Sequence, residues 1–385
     1  MNILDVSRIL DYTVDEKLLE TYFEKMLASI DKNMDVFIEK YPHVSTGNKY
    51  VPKDNKDWTS SFFVGMAYLA FHATKDDRFL RNSEVWLKSF NNRLENNIGL
   101  DNHDIGFLYT LSCVALYKLT DSEKAKMTAI KAADRLISRY NKRGKFIQAW
   151  GSIGVRYPNV KIIIDCMMNL PLLYWATEVT GDENYAEIAK THAITSSQTL
   201  VREDASVYHT YMFDPISGRA IEGGTHQGKY DESTWARGQA WCVYGFTLSY
   251  IYTKDPLFLD IAIRSAEYYI DNLPKDYVHY WDFAVSELAP EMKDSSAASI
   301  GAAGLLELSK YVDEERARLF DKCATIILQE LCQGYFIDTN DSGYGLLREG
   351  FYSLKKYDEA MSWGDYFFVE AMCKLKNKEN DLLFW

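Results

Sequence analysis

Apolar residues recur every three to four positions over most of the 385-residue chain, which is the spacing of one face of an α-helix. Separate runs of this pattern predict twelve helices. They cover residues about 15–40, 59–73, 78–94, 105–119, 123–139, 163–179, 183–200, 233–252, 257–272, 295–311, 313–332 and 361–376.

The connections between these helices alternate in length. Short turns follow the even-numbered helices and place Asp or Ser where a helix N-cap is favoured. The turns read TKDD (74–77), TDSE (120–123), TGDE (180–183), TKDP (253–256) and VDEE (312–315). Long connections follow the odd-numbered helices, at 41–58, 95–104, 140–162, 201–232, 273–294 and 333–360. The chain is therefore expected to repeat a helical hairpin six times.

Six hairpins of this kind predict an all-α fold, an (α/α)6 barrel in which residues 1–385 form a single domain. The even-numbered helices are expected inside, because segments such as 163–179 and 233–252 are apolar almost all round. The long loops then gather at one mouth, where sites usually lie. An open helical solenoid is the alternative. Gly-, Thr- and Tyr-rich stretches within 201–232 predict strands in that loop.

Asp165 is the most informative single residue, because it lies alone in the apolar run KIIIDCMMNLPLLYW (161–175). At helical spacing Asp165 and Asn169 share a face that hydrocarbon side chains surround. Poor solvation favours the neutral acid, so Asp165 is a candidate proton donor near neutral pH. A buried Asp that caps or hydrogen-bonds a neighbouring helix is the alternative interpretation.

A second carboxylate, Asp104 in DNHDIGFLY (101–109), lies at the start of an even-numbered helix and faces the same mouth. His103 precedes it directly. An N-cap or first-turn acid that the helix dipole favours is the alternative role for Asp104.

DESTWARGQAW (231–241) opens another even-numbered helix, with Arg237 and Trp241 one turn apart on the same face. An Arg fork beside a Trp plane can hold a carboxylate and stack a sugar ring together. The alternative is an Arg paired to a structural acid and a Trp packed in the core.

The loop 208–230 carries His209, His226, Gln227 and Lys229. For a single histidine in a loop, a solvated or structural role is the default interpretation. Trp58 and Trp150 stand at the ends of two other long loops. Each tryptophan is either a platform for a sugar ring or a lid over the core.

The net charge of −12 excludes binding to nucleic acid or anionic membranes by bulk charge. The sequence contains no phosphate-binding loop, dinucleotide glycine fingerprint, GxSxG elbow, HExxH or EF-hand loop, which weighs against nucleotide, metal and serine-hydrolase chemistry. No metal or cofactor is expected. The 27 Tyr and 9 Trp residues suit sugar stacking as well as core packing.

The six cysteines all lie in apolar stretches without CxxC or Cys/His spacing, and they are interpreted as buried free thiols in a reducing compartment. The N-terminus has no apolar signal core, and no run reaches transmembrane length. The protein is accordingly expected to be cytoplasmic, and a monomer or weak homo-oligomer.

Four motifs in order, HDIGF with Asp104, IIDCMMNLPLLYWA with Asp165, YHTYMFD with His209 and STWARGQAW with Arg237, resemble glycoside hydrolase family 88, the unsaturated glucuronyl hydrolases. The resemblance runs from DWTSSFFVGM, which contains Trp58, to WGDYFFVEA at 363–371. It implies an (α/α)6 barrel. It also implies a substrate left by a polysaccharide lyase, a small oligosaccharide whose non-reducing uronic acid has a C4=C5 double bond.

The resemblance further implies hydration of that vinyl ether rather than displacement of the glycosidic oxygen. Asp165 matches the catalytic aspartate that protonates C4 and helps water to add at C5, and Asp104 is expected to hold or tune it. The residues expected to contact the uronate or its hydroxyls are His103, His209, Gln227 and Arg237. The expected stacking walls are Trp58, Trp150 and Trp241.

Two other functions remain open at this stage: an unsaturated rhamnogalacturonyl hydrolase acting on pectin fragments, and a non-catalytic carbohydrate-binding toroid. The leaving sugar is open as well. Family members that accept sulfated fragments carry a Ser/Lys cluster in the last long loop, which Ser353, Lys355 and Lys356 resemble loosely. A solvated basic pair explains these lysines equally well.

Overall fold

A computed structural model of the chain describes residues 3–153, 155, 157–285, 292–377 and 383–385. Parts of the predicted connections 140–162 and 273–294 lie outside the described residues. The inner helices are α3 (Phe62–Thr74), α5 (Ile105–Tyr109), α6 (Ala115–Thr120), α8 (Pro171–Thr180), α10 (Ala236–Thr253), α12 (Ser295–Leu308) and α14 (Ser362–Lys376). A π-helical segment, Thr110–Val114, joins α5 to α6. The outer helices are α2 (Glu16–Asn33), α4 (Ser83–Glu95), α7 (Glu123–Ile137), α9 (Glu183–Thr199), α11 (Pro256–Asp271) and α13 (Glu314–Glu330), with α1 (Ile3–Leu10) packed on α13.

The inner helices form a closed ring. In chain order each packs on the next, and α14 packs back on α3. At this closing contact the rings of Phe62 and Tyr366 lie 5.6 Å apart, and Gly65 leaves room for Tyr366, since a Cβ there would lie 2.6 Å from Tyr366 Cε2. The predicted (α/α)6 toroid is confirmed, and the open solenoid is wrong.

Polar caps at the five short turns explain why each hairpin turns where it does. The side chains of Asp76, Ser122, Asp182, Asp255 and Asp313 each accept a hydrogen bond from a backbone N–H two or three residues on. These bonds satisfy donors that the first helical turn leaves unpaired. The capping that the sequence predicts at these turns is therefore present.

Four small antiparallel sheets lie in the long connections. They pair β1 (Ser45–Thr46) with β2 (Lys49–Tyr50), β3 (Tyr140–Asn141) with β4 (Phe146–Ile147), β5 (Val160–Ile163) with β6 (Thr210–Phe213) and β7 (Ala220–Gly224), and β8 (Gly350–Ser353) with β9 (Lys356–Glu359). The strands predicted within 201–232 are thus present as β6 and β7.

The predicted helix 163–179 is wrong at its start. Residues 160–163 are strand β5, Ile164–Met168 form a 3₁₀ turn, and α8 begins only at Pro171. The β-branched run Ile162–Ile164 pairs with β6, where Ile162 lies opposite Tyr211 and Ile164 N–H donates to His209 C=O. A fully apolar run has no period that separates such a strand from a helix.

Other boundaries differ as well. α2 ends at Asn33 rather than near residue 40, α4 begins at Ser83 rather than 78, after a separate 3₁₀ turn at Asp77–Leu80, and α10 begins at Ala236 rather than 233. All six cysteines are buried and outside any disulfide. Among the described residues, no helix is both long and apolar enough to cross a membrane.

Candidate active site

The inner helices, with α5 and α6 counted as one, begin at the same end of the barrel, because an outer helix precedes each of them and returns the chain. Their first turns, or the turns just before them, carry Ser61, Asp104, Asp165, Arg237, Asp294 and Trp363. Helix N-termini carry partial positive charge and unpaired N–H groups, so this mouth favours an anionic ligand despite the net charge of −12.

Asp104 occupies the N-cap position of α5, yet its side chain makes no capping hydrogen bond. The side-chain cap that the alternative interpretation implies is therefore absent, although Asp104 does lie at the N-terminus of the helix, where the helix dipole favours an acid. Its side chain is 14% exposed, and His103 Nε2 lies 3.5 Å from its Oδ1. The pKa of Asp104 is raised to about 7, chiefly by burial and next by the charge of Asp165. Arg139 and Arg93 act in the opposite direction.

Asp165 lies on the 3₁₀ turn before α8 and is half-buried. Its Oδ1 is buried and has no hydrogen-bond partner. Burial raises the pKa of Asp165 to about 7, which the charge of Arg237 partly opposes. The charge of Asp165 disfavours the ionised form of Asp104, so both carboxyls are candidates to carry a proton near neutral pH.

Asn169 joins the two aspartate segments. Its side chain accepts a hydrogen bond from Phe107 N–H of α5 at 2.7 Å and donates one to Asp165 C=O at 3.2 Å. Asp165 and Asn169 therefore meet, as the sequence suggested, but through a backbone carbonyl on a 3₁₀ turn rather than as neighbours on an α-helical face.

His209 is buried, and its Nδ1 accepts hydrogen bonds from the backbone N–H groups of His226 and Gln227, both at 3.1 Å. Burial lowers the pKa of His209 well below its usual value, so the ring is neutral. Because Nδ1 is an acceptor, the proton lies on Nε2, which becomes a donor for a ligand.

Arg237 is 2% exposed and lies between the rings of Trp235 (4.4 Å) and Trp363 (5.3 Å). Its Nη1 donates to Asp294, to Ser296 Oγ and to the carbonyl of Phe351, and its Nη2 donates to Gln227 Oε1 at 2.6 Å.

The pairing of Arg237 with a buried acid is the alternative that the sequence left open. In the free protein Arg237 therefore binds Gln227 Oε1 as well as the buried Asp294.

The three predicted tryptophan walls lie at different depths. Trp150 is 40% exposed at the rim, with its ring 5.2 Å from that of His226. Trp58 is half-buried and contacts Trp363 at 5.0 Å. Trp241 is only 1% exposed beneath Phe107, 5.4 Å away, so its surroundings match the core-packing alternative.

Ring contacts connect four of the predicted residues, Trp58, Trp150, His209 and Arg237, around the mouth. The chain of contacts runs through Trp150, His226, His209, Trp235, Arg237, Trp363, Trp58 and Phe107. Within the described part of the chain, no three His, Cys, Asp or Glu side chains are grouped as ligands for a metal ion.

The model of glycosyl hydrolase family 88 matches residues 29–316, which include both aspartates and the histidine loop. The chain belongs to this family. An unsaturated glucuronyl hydrolase of Bacillus sp. (strain GL1) is 43% identical over 352 residues, which are 90% of this chain and 93% of that protein. An unsaturated chondroitin disaccharide hydrolase of Streptococcus pneumoniae is 38% identical over 368 residues, which are 94% of this chain and 92% of that protein.

The fold of the chain also matches solved structures of family members. The crystal structure of an unsaturated glucuronyl hydrolase from Streptococcus agalactiae has a TM-score of 0.94 at 37% identity, and covers 100% of this chain and 98% of that one. An aspartate-to-asparagine mutant of that enzyme was solved in complex with dGlcA-GalNAc6S. The resemblance to family 88 that the four motifs indicate is confirmed, and the chain is a glycoside hydrolase.

In this family 88 site, Asn169 and His226 were noted in the sequence without a functional role. The sequence patterns did not single out Trp235, Asp294, Trp363 or Tyr352, whose ring lies 5.4 Å from that of Trp363. Trp235 and Trp363 stand inside the quoted motifs, so their position was a usable signal. Asp294 precedes a helix like any other N-cap, and only the fold reveals that it also binds Arg237 across the mouth.

Proposed function

We propose that this enzyme releases the 4,5-unsaturated uronic acid from the non-reducing end of lyase-generated glycosaminoglycan oligosaccharides. The observation that carries the proposal is the pair Asp104 and Asp165. Both are partly buried acids: Asp104 makes no capping hydrogen bond, Asp165 Oδ1 is buried without a partner, and burial raises the pKa of each to about 7. The names of the relatives, unsaturated glucuronyl hydrolase and unsaturated chondroitin disaccharide hydrolase, support the same substrate class.

In the proposed reaction Asp165 is the general acid and base. Its carboxyl proton is transferred to C4 while the electron pair of the C4=C5 bond forms the new C–H bond. Water adds at C5, and its proton returns to the Asp165 carboxylate. The resulting C5 hemiketal opens by breaking the bond between C5 and the ring oxygen, which forms the C5 ketone and leaves a hemiacetal at C1. That hemiacetal then breaks its bond to the leaving sugar and releases a keto acid with an aldehyde at C1. One water is consumed and the acid is regenerated.

The electrostatics support this assignment of roles. Protonation of carbon requires an acid that is still protonated near the working pH. The charge of Asp165 raises the pKa of Asp104, which supports a proton shared between the two carboxyls, and the proposal assigns to Asp104 the orientation of the water. The separation of two carboxylates that distinguishes retaining from inverting glycosidases has no bearing on this reaction, because the acid acts on the double bond.

The remaining predicted residues would bind the substrate. Neutral His209 and the Gln227 amide offer N–H donors to the uronate, His103 contacts Asp104, and the six helix N-termini favour its negative charge. Trp58 and Trp150 provide apolar faces for sugar rings. The cytoplasmic location and the monomeric or weakly associated state stay predictions.

The test is the ultraviolet absorbance of the C=C bond with unsaturated disaccharides from chondroitin, hyaluronan, heparin and pectin lyase digests, one at a time. We expect the absorbance to fall with at least one glucuronyl substrate. A fall with the pectin fragment alone would favour the rhamnogalacturonyl hydrolase. Flat traces with stoichiometric binding would favour the non-catalytic toroid.

A further inference from the structure

Asn169 is fully buried and links two backbone groups that belong to the two aspartate segments. It accepts the N–H of Phe107, three residues after Asp104, and it donates to the carbonyl of Asp165. Gly106 packs directly on it, since a Cβ at Gly106 would lie 2.3 Å from Asn169 Cα. A side chain at position 106 would therefore push these segments apart.

The hydrogen bond to Phe107 replaces one that Asp104 would be expected to make. An N-cap aspartate usually accepts from the second or third N–H of its own helix, and Phe107 is the third residue of α5. Other N-cap aspartates of the described chain follow this rule: Asp15, Asp182, Asp255, Asp294 and Asp313. Asp104 departs from the rule, and the N–H it would have used is bound by Asn169.

We propose that Asn169 is a positioning residue that caps α5 in place of Asp104. It thereby leaves the Asp104 carboxyl free to face the substrate, and it ties that helix to the turn that carries Asp165. The catalytic use of the Asp104 carboxyl rests on the proposed function. The capping of α5 by Asn169 in place of Asp104 is a property of the fold, and it can be tested without substrate.

Loss of Asn169 should change what Asp104 does. With Phe107 N–H unpaired in a buried position, the Asp104 carboxyl is the acceptor expected to replace Asn169, as at every other Asp cap named above. A hydrogen bond to its charged form lowers the pKa of Asp104. Asp104 interacts electrostatically with titratable and charged groups on the surrounding elements. They are His103, Arg93, Arg139, Asp165, Cys166 and Tyr352.

The experiment compares Asn169→Leu, which keeps the size and removes both hydrogen bonds, with Asn169→Asp, which keeps an acceptor for Phe107. Asp104→Ala is introduced into each background and thermal unfolding is followed at pH 8. In the wild-type background Asp104→Ala should raise Tm, because it removes a buried charge and no cap. In Asn169→Leu it should lower Tm, because Asp104 has become the cap.

This change of sign carries the proposal. Effects of Asp104→Ala that agree in the two backgrounds within about 1 °C would overturn it, since independent sites add. In Asn169→Asp the wild-type sign should persist, and a reversed sign there would also overturn the proposal, even if Asn169→Leu fails to fold.

Asn33→Leu is the matched control. Asn33 is another buried Asn that bridges backbone groups, accepting from Gly343 N–H at 2.6 Å and donating to Tyr344 C=O at 2.9 Å, away from both aspartates. It should lower Tm and leave the sign of Asp104→Ala unchanged.

Kinetics separate positioning from simple stability. If the proposed function holds, Asn169→Leu should lower kcat by about 10–100-fold with little change in KM, and shift the pH profile to the acid side. A merely structural Asn169 would leave the pH profile where it is, as Asn33→Leu should. An inactive wild type would refute the proposed function but leave the Tm comparison intact.

Discussion

Glu307 and Asp104 lie at opposite ends of the inner helices, and their surroundings shift the pKa of a buried carboxyl in opposite directions. Glu307, near the end of α12, is 2% exposed and is bound by Lys374 and by Lys310 at 2.9 Å. Burial alone would raise the pKa of Glu307, but the two lysines bring it below its usual value. Asp104, which is more exposed, has another carboxylate as neighbour, and its pKa is raised to about 7.

The difference separates structural charges from candidates for chemistry. At the far end of the barrel Glu370 accepts from Tyr244 and from Trp385 Nε1, so its oxygens are also occupied. At the mouth Asp165 Oδ1 has no partner although it is buried. Unpaired buried carboxyls are costly, and they persist where a proton near neutral pH is useful.

The sharpest way to break this comparison is Asp165→Asn. We expect turnover to fall by about 10²–10⁴-fold, because the proton donor is lost while the shape of the side chain is kept. Initial rates of absorbance loss on the best glucuronyl disaccharide measure the effect. The variant should fold normally, as circular dichroism would show.

Asp101→Asn controls for the loss of one carboxylate near the mouth. Asp101 lies on the same loop as Asp104 but is largely exposed and binds Arg135 and Ser152. Its substitution should leave turnover within about twofold, since surface pairs contribute little. Near-wild-type turnover of Asp165→Asn would sink the assignment of Asp165 as the acid.

At the far end of the barrel we expect a substitution to lower stability and to leave activity unchanged, which is the opposite of the result expected for Asp165→Asn. Lys374→Met removes a partner of Glu307 and should destabilise the fold by about 3–5 kcal/mol, because it leaves a buried carboxylate with less compensation. Activity per folded molecule should not change. Urea unfolding together with specific activity measures both quantities.

Lys376→Met, two residues further along α14, is the matched control. Lys376 pairs with Glu20 at 2.9 Å, but its side chain is 41% exposed, so the loss should stay below about 1 kcal/mol. Equal destabilisation by the two variants would show that the pairing of Glu307 has no special value.

The sequence predicted the end of the barrel at which the site lies better than it predicted how the two aspartates are held. Hairpin alternation and caps such as Asp182 and Asp313 are local signals, and they were sufficient for the closed toroid. The strand before Asp165 was missed, because its pairing with β6 joins segments almost fifty residues apart. Trp241 likewise lies at a depth that only packing against Phe107 determines.

The pH dependence of stability gives a smaller effect that separates the two ends again. An acid whose folded pKa is raised contributes stability below its unfolded pKa, near 3.8, and loses it as the pH rises through its folded pKa, about 7. Asp104→Asn should therefore be neutral near pH 4 and stabilising by about 1–3 kcal/mol at pH 8. Thermal unfolding from pH 4 to 8 measures the difference.

For Asp104→Asn, equal stability of variant and wild type across the whole range would mean that Asp104 is well solvated or paired in the folded state. Asp101→Asn, again the control, should show no comparable rise between pH 4 and pH 8.

The smallest expected effect is at the rim, where Trp150→Ala tests binding rather than proton transfer. Trp150 is 40% exposed and its ring contacts that of His226. Trp150 is therefore far less enclosed than either aspartate. Loss of a stacking face should raise KM by about 3–10-fold and leave kcat nearly unchanged, since the ring contacts ground and transition states alike. A fall in kcat as large as that of Asp165→Asn would place Trp150 in the reacting geometry, and the division between rim and aspartate pair would have to be redrawn.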